Sequence, residues 1–293
     1  MAVDEAPMRR ICLLLLSACL LFSLSDSRAQ DPDASSVPWA YGAYFGTGWY
    51  RVDGDREIYV IRYTPRWEFR EPDLSEDGTR TIGIEFRFPI TFGLDNFSYD
   101  DLVGSANPDN LTSLSVTPGI DITIPVTEKW LLRPFAAVGW GSSFNNSESV
   151  WTYWGGVKSR YSFQRGKLNW ALHNSATYVG HKPSNGPSDD FWPLMVALEF
   201  DYPLGQRKLG GEQVFLGWHG MYTTFEHRLE QPINDEASVQ ITDQWEIGLS
   251  IRKENERIKI WWFHFDRLGL AYRFSTSGDF KGISFVFRSI FDS

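Results

Sequence analysis

A few places in the sequence bring together residue types that could do chemistry. In His181-Lys182-Pro183-Ser184-Asn185-Gly186-Pro187-Ser188 a histidine precedes a serine by three positions. Hydroxyl nucleophiles need such a base to take the Oγ proton. His264 and Asp266 stand two apart, so an extended strand puts them on one face, where they could share a hydrogen bond. Asp100, Asp101 and Asp109 supply carboxylates of the kind calcium takes, without the regular ligand spacing of calcium loops. His173, His219 and His227 are scattered, and no His-Glu-x-x-His or similar spacing occurs, so neither a metal nor a cofactor is expected. Pro183 and the surrounding Gly, Pro and Asp read as a surface loop. No catalytic residue is therefore expected, His181 and Ser184 being the only candidates.

The elements that must carry these residues are strands. From Trp39 onward large apolar residues alternate with small or polar ones at a period of two. Ile82, Ile84, Phe86, Phe88, Ile90 and Phe92 stand against Thr81, Gly83, Glu85, Arg87, Thr91 and Gly93; Trp245, Ile247, Leu249 and Ile251 stand against Glu246, Ser250 and Arg252. Cuts at Gly, Pro, Asn and Asp clusters give about twelve strands: 39–51, 57–70, 80–94, 112–126, 130–144, 150–164, 167–180, 191–204, 212–227, 241–253, 257–274 and 280–291. Short connections alternate with long ones at 95–111, 181–190 and 228–240. Rings gather toward strand ends, as in Tyr59 and Trp67 or Trp151 and Tyr161, where headgroup girdles would place them. The fold expected is all-β, an antiparallel transmembrane β-barrel of about twelve strands with both termini periplasmic. A soluble secreted β-protein is the alternative.

Composition agrees with export to a membrane. Met8-Arg9-Arg10, the apolar run Ile11–Leu24 and Ser27-Arg28-Ala29 form a secretory signal over 1–29, with Met1 or Met8 as start. Residues 30–36 then form a short periplasmic segment and 37–291 the barrel. Cys12 and Cys19 both fall in the leader, where Cys19 also resembles a lipidation site, so thiol chemistry is excluded beyond it. A net charge of −9 argues against a nucleic-acid partner. The polar face nevertheless carries Arg62, Arg66, Arg70, Arg87, Arg133, Lys158, Arg160, Arg252, Arg273 and Arg288 against Glu68, Glu85, Asp121, Glu199, Asp201 and Glu246. A lumen lined this way favours small anionic solutes if it is open, and otherwise closes through Arg–carboxylate networks and inward-folded segments.

Three resemblances follow. Gly282–Phe291 resembles the terminal strand read by the barrel-assembly machinery, with Phe285, Phe287 and Phe291 as its signal rings, although Asp292 and Ser293 follow the last ring. Thr117–Ile122, Leu132–Gly141 and Arg267–Phe274 carry a similarity to autotransporter β-barrels, of a solitary kind without an exported passenger. That similarity implies a twelve-stranded barrel in the outer membrane of a Gram-negative bacterium, with the lipid bilayer as partner, a surface-interaction or passive pore role, and an open question of oligomeric state. The segment His181–Ser188 is similar to the nucleophile region of outer-membrane phospholipase A, which implies lipid hydrolysis by His181 and Ser184. In that family the two residues lie two apart on one strand face; here they lie three apart.

Overall fold

Strict two-residue alternation gives each strand two unlike faces, and most of the chain adopts that form. The computed structural model describes residues 46–52, 56–75, 78–95, 111–144, 149–184, 188–234, 237–254, 257–260 and 263–293. All of them fall within the unit Asp33–Ser293. The expected signal at 1–29, the segment 30–36, the strand portion 39–45 and the loop with Asp100, Asp101 and Asp109 lie outside the described residues.

The wall consists of β1 (Gly48–Val52), β2 (Arg56–Tyr63 continued by Arg66–Arg70), β3 (Gly83–Arg87 with Ile90–Asp95), β4 (Leu111–Val116 with Gly119–Thr127), β5 (Trp130–Ser143) and β6 (Ser149–Arg165). It continues with β7 (Leu168–Pro183), β8 (Pro193–Leu209), β9 (Glu212–Asn234), β10 (Ala237–Lys253), β11 (Leu268–Phe274) and β12 (Phe280–Val286). Each pairs antiparallel with the next, and β12 pairs with β1 from Gly48↔Ser284 to Val52↔Phe280, which closes a barrel of twelve strands. The breaks in β2, β3 and β4 fall at Pro65, Pro89 and Pro118, which have no N–H to give the ladder. Their carbonyls still accept at 3.0 Å from Phe88, Thr117 and Val138. Pairing therefore stays in step across the breaks, from Tyr63↔Ile90 to Arg66↔Arg87.

Burial decides which face is outside. Ile61, Trp67, Val138, Trp140, Val196, Ile247, Leu249, Leu270 and Tyr272 are 42–62% exposed, whereas Arg87, Asp121, Glu199, Asp201 and Glu246 are 3–7% exposed. A soluble sandwich buries its rings and exposes its charges. This wall does the reverse, as a transmembrane barrel must in hydrocarbon.

Several boundaries depart from the expected ones. Where a loop is expected at 228–240, residues 228–234 and 237–240 are strand, because β9 and β10 keep pairing as far as Asn234↔Ala237. β7 runs on to Pro183, and Asp189–Phe191 folds back to pair with it. The single strand expected over 257–274 is a small hairpin, Ile258–Ile260 with Phe263–Phe265, followed by β11; an Arg257–Asp266 ion pair at 2.9 Å joins the ends of the hairpin. The terminal strand stops at Val286 instead of 291, and the remaining residues turn inward to a 3₁₀ turn at Ile290–Asp292. Phe291 is consequently not a ring on the outer face of β12, and Arg288 is not on that strand.

Candidate functional site

The inner wall is crowded. Along its half nearest the short turns, inward arginines reach carboxylates on neighbouring strands: Arg66 to Glu85 at 2.9 Å and Arg87 to Asp121 at 2.9 Å. Other pairs reach farther round the wall. Arg252 on β10 donates to Asp201 on β8 at 2.6 Å, and Arg267, just before β11, donates to Glu199 on β8 at 2.8 Å. Glu246 accepts from Arg273 and meets His219 Nε2 at 2.7 Å. Glu68 and Arg70, at the far end of β2, are exposed.

The inward-turned tail docks into this network. Phe291 is 1% exposed, with the Arg133 guanidinium 4.0 Å and the Arg160 guanidinium 5.2 Å from its ring centroid. Arg133 donates to the Phe291 carbonyl at 3.1 Å, to Asp292 Oδ1 at 2.7 Å and to Thr123 Oγ1 at 2.9 Å. Lys158 donates to the Ser293 backbone oxygen at 2.5 Å, and the Ile290 amide donates to Glu199 at 3.4 Å. Arg288 reaches Thr64 O, at the β2 break, at 2.8 Å. The tail thus ties β5, β6 and β8 to one another, and Arg288 binds it to β2.

The half nearest the long connections holds a cluster of apolar side chains. Tyr50 and Val52 from β1, Val60 from β2, Phe280 from β12, Ile241 from β10, Phe225 from β9, Val179 from β7 and Phe191 form one buried cluster, with Ile58 and Trp154 packed on it. β1 and β7 stand on opposite sides of a twelve-stranded ring, so this cluster crosses the lumen. Arg62 on β2 lies 5.1 Å from the centre of the Trp154 ring on β6, again across the interior. The tail network and the apolar cluster each join strands on opposite sides of the ring.

The candidates for chemistry are not assembled into a site. His181 is buried on the inner face of β7, while Ser184 is exposed just past its end. The Ser184 Oγ accepts from the Ser149 amide at 3.2 Å. This geometry gives the hydrolase alternative no support. His264 is exposed, and its neighbour Asp266 pairs with Arg257. Among the described residues no group of three or more His, Cys, Asp or Glu side chains could hold a metal. Two participants escaped the sequence reading. Arg267 shares the parity of Gly269, Ala271 and Arg273, a signal obscured when 257–274 is taken as one strand. The inward ring of Tyr50 is marked only by apolar residues on both faces of β1.

Solved structures of similar fold are autotransporter barrels. The β domain of the Bordetella autotransporter BrkA is similar with a TM-score of 0.50 at 9% identity, over 81% of this chain and 92% of that one. The translocator domain of NalP from Neisseria meningitidis gives 0.47 at 9% identity, over 81% and 82%. The transport unit of AIDA-I from Escherichia coli gives 0.43 at 10%, over 99% and 100%. No protein-family model and no curated protein matches the chain. At these identities the likeness is one of fold.

Proposed function

We propose that the protein is an integral barrel of the Gram-negative outer membrane, exported by its signal segment, inserted by the barrel-assembly machinery with both termini periplasmic, and active through what it presents at the surface rather than through flow of solute. The observation that carries this reading is the doubly crossed lumen, with Arg133, Lys158 and Arg160 holding the tail and the Tyr50–Phe191–Phe280 cluster opposite. The exposed apolar wall supports the membrane setting. β9 and β10 support the surface role: they have 23 and 17 residues, whereas a spanning strand needs about 9–11. Their paired distal part extends past the wall.

Folded protein, identified by heat-modifiable gel mobility, is reconstituted in planar bilayers. The expected result is no steady channel. Sustained conductance overturns the closed-barrel reading, and a reversal potential showing anion preference favours a second one, an anion pore lined by Arg87, Lys158 and Arg160.

A further inference from the structure

The wall is uneven in height. β1 has 5 residues and β11 and β12 have 7 each, while β6 to β10 have 16–23. Strands of 5–7 residues fall short of the roughly 9–11 needed to cross hydrocarbon. On β12 the outward positions are only Lys281, Ile283 and Phe285. On β2 the outward rings and aliphatics run from Tyr59 to Phe69.

The apolar row at this seam does not end with β12. Phe287 stacks on Phe285 at 6.0 Å and 5°, and Phe265 packs on Phe287 at 4.9 Å. Phe265 belongs to the hairpin between β10 and β11. In that hairpin Ile258 lies opposite Phe265, and Lys259 lies opposite His264. Period-two alternation therefore puts Ile258, Ile260 and Phe265 on one face and Lys259 and His264 on the other. On the apolar face Ile258 is buried and Phe265 half-buried, so Ile260, 47% exposed, is the residue that face presents; Lys259 and His264 are exposed on the other.

We infer that the paired strands Ile258–Ile260 and Phe263–Phe265 are an interfacial anchor that continues the lipid-facing surface of β11 and β12 into the phospholipid headgroup layer, with Ile260 at the acyl boundary and Lys259 toward the phosphates. The continuous ring row and the short strands point to lipid as the occupant, and a cation beside the apolar face matches phosphate. The inference rests on the membrane setting proposed above.

Site-directed fluorescence tests it. With Cys12 and Cys19 replaced by Ser, single labels are placed by Ile260→Cys, Lys259→Cys and Ile247→Cys, the last on the outward mid-wall of β10. The folded full chain is reconstituted in phosphatidylcholine–phosphatidylglycerol vesicles carrying lipids brominated at shallow or deep acyl positions. The expected result is that shallow bromines quench the label at 260 at least about twofold more than deep ones. Deep bromines should quench best at 247, and aqueous iodide several-fold more at 259 than at 260. A label at 247 that only iodide quenches overturns the membrane setting itself. Lipid quenching at 247 with iodide-only quenching at 260, or protection of 260 from both quenchers, overturns the anchor and leaves that setting standing. Equal quenching at 259 and 260 overturns the assignment of faces and with it the anchor.

Discussion

Arg133 gathers more of the tail than any other side chain. Its guanidinium meets the Phe291 ring, the Phe291 carbonyl and the Asp292 carboxylate. Removing one partner of a buried pair leaves an uncompensated charge, at a cost of about 3–5 kcal/mol; both partners here are partly open to the lumen, so Arg133→Ala is expected to cost about 2–3 kcal/mol. The denaturant midpoint of the folded barrel in detergent measures this. Burial alone would raise the Asp292 carboxyl, but Arg133 and Arg66, with hydrogen bonds from Arg133 and Ser289, outweigh it and hold the group below the ordinary carboxylate range. Because the folded form is the more acidic, its contribution is complete above that range and is lost only as pH falls through the depressed value. The stability gap between the native protein and Asp292→Asn is therefore expected to stay constant from pH 7 to about 4, near the unperturbed Asp value, and to narrow only in stronger acid. A gap that closes by pH 5 would show that Arg133 does not hold the carboxylate.

At the scale of elements, β1 is held by five register pairs on each side, to β2 and, at the seam that closes the barrel, to β12 from Gly48 to Val52. Gly282 on β12 sits beneath the Tyr50 ring, where an added Cβ would lie 2.5 Å from a ring carbon and 2.6 Å from the Trp49 carbonyl oxygen. Tyr50 in turn stacks on Phe280 at 5.8 Å, so the ring has little room to withdraw. Gly282→Val is expected to destabilise the barrel by about 2–3 kcal/mol, as overpacking does. Gly155→Ala is the comparison: its Cβ would meet nothing nearer than the Phe135 carbonyl oxygen at 3.4 Å, and its unfolding midpoint should move far less. Equal shifts in the two variants would show that the contact between Tyr50 and Gly282 is not what limits the seam.

For the whole molecule, the proposed closure rests on two luminal layers, so removing one is expected to leave the other. Deleting residues 288–293 removes Phe291 and Asp292 but leaves the cluster of Tyr50, Val179, Phe191, Phe225, Ile241 and Phe280 across the opposite half. Deletion alone is expected to leave planar bilayers without steady conductance. The same deletion combined with Tyr50→Ala and Trp154→Ala, checked first for folding by gel mobility, should conduct with anion preference because inner-wall cations are then uncovered. Full conductance from the deletion alone would make the tail the sole barrier and the apolar layer permeable.

Local pattern determined a good deal by itself. A period of two made the chain all-β, and turn residues divided it near the true ends of β4 to β6, because each strand's side chains alternate whatever its partners. The concentration of charge on one face and rings on the other also made a barrel in lipid the favoured reading. Tertiary structure decided the rest. Extension of β9 to Asn234 and of β10 back to Ala237 depends on mutual pairing, which no single strand displays. Parity could have flagged Arg267, but only its reach to Glu199, 68 positions away, makes it part of the lumen. Phe291 has the spacing of a strand ring, yet it turns inward to cations on β5 and β6, with Arg133 bonding the adjacent Asp292 across 159 positions. Alternation records which residues share a face; which distant face they meet, and whether the space between is filled, is set only when the barrel closes and brings opposite walls within contact distance.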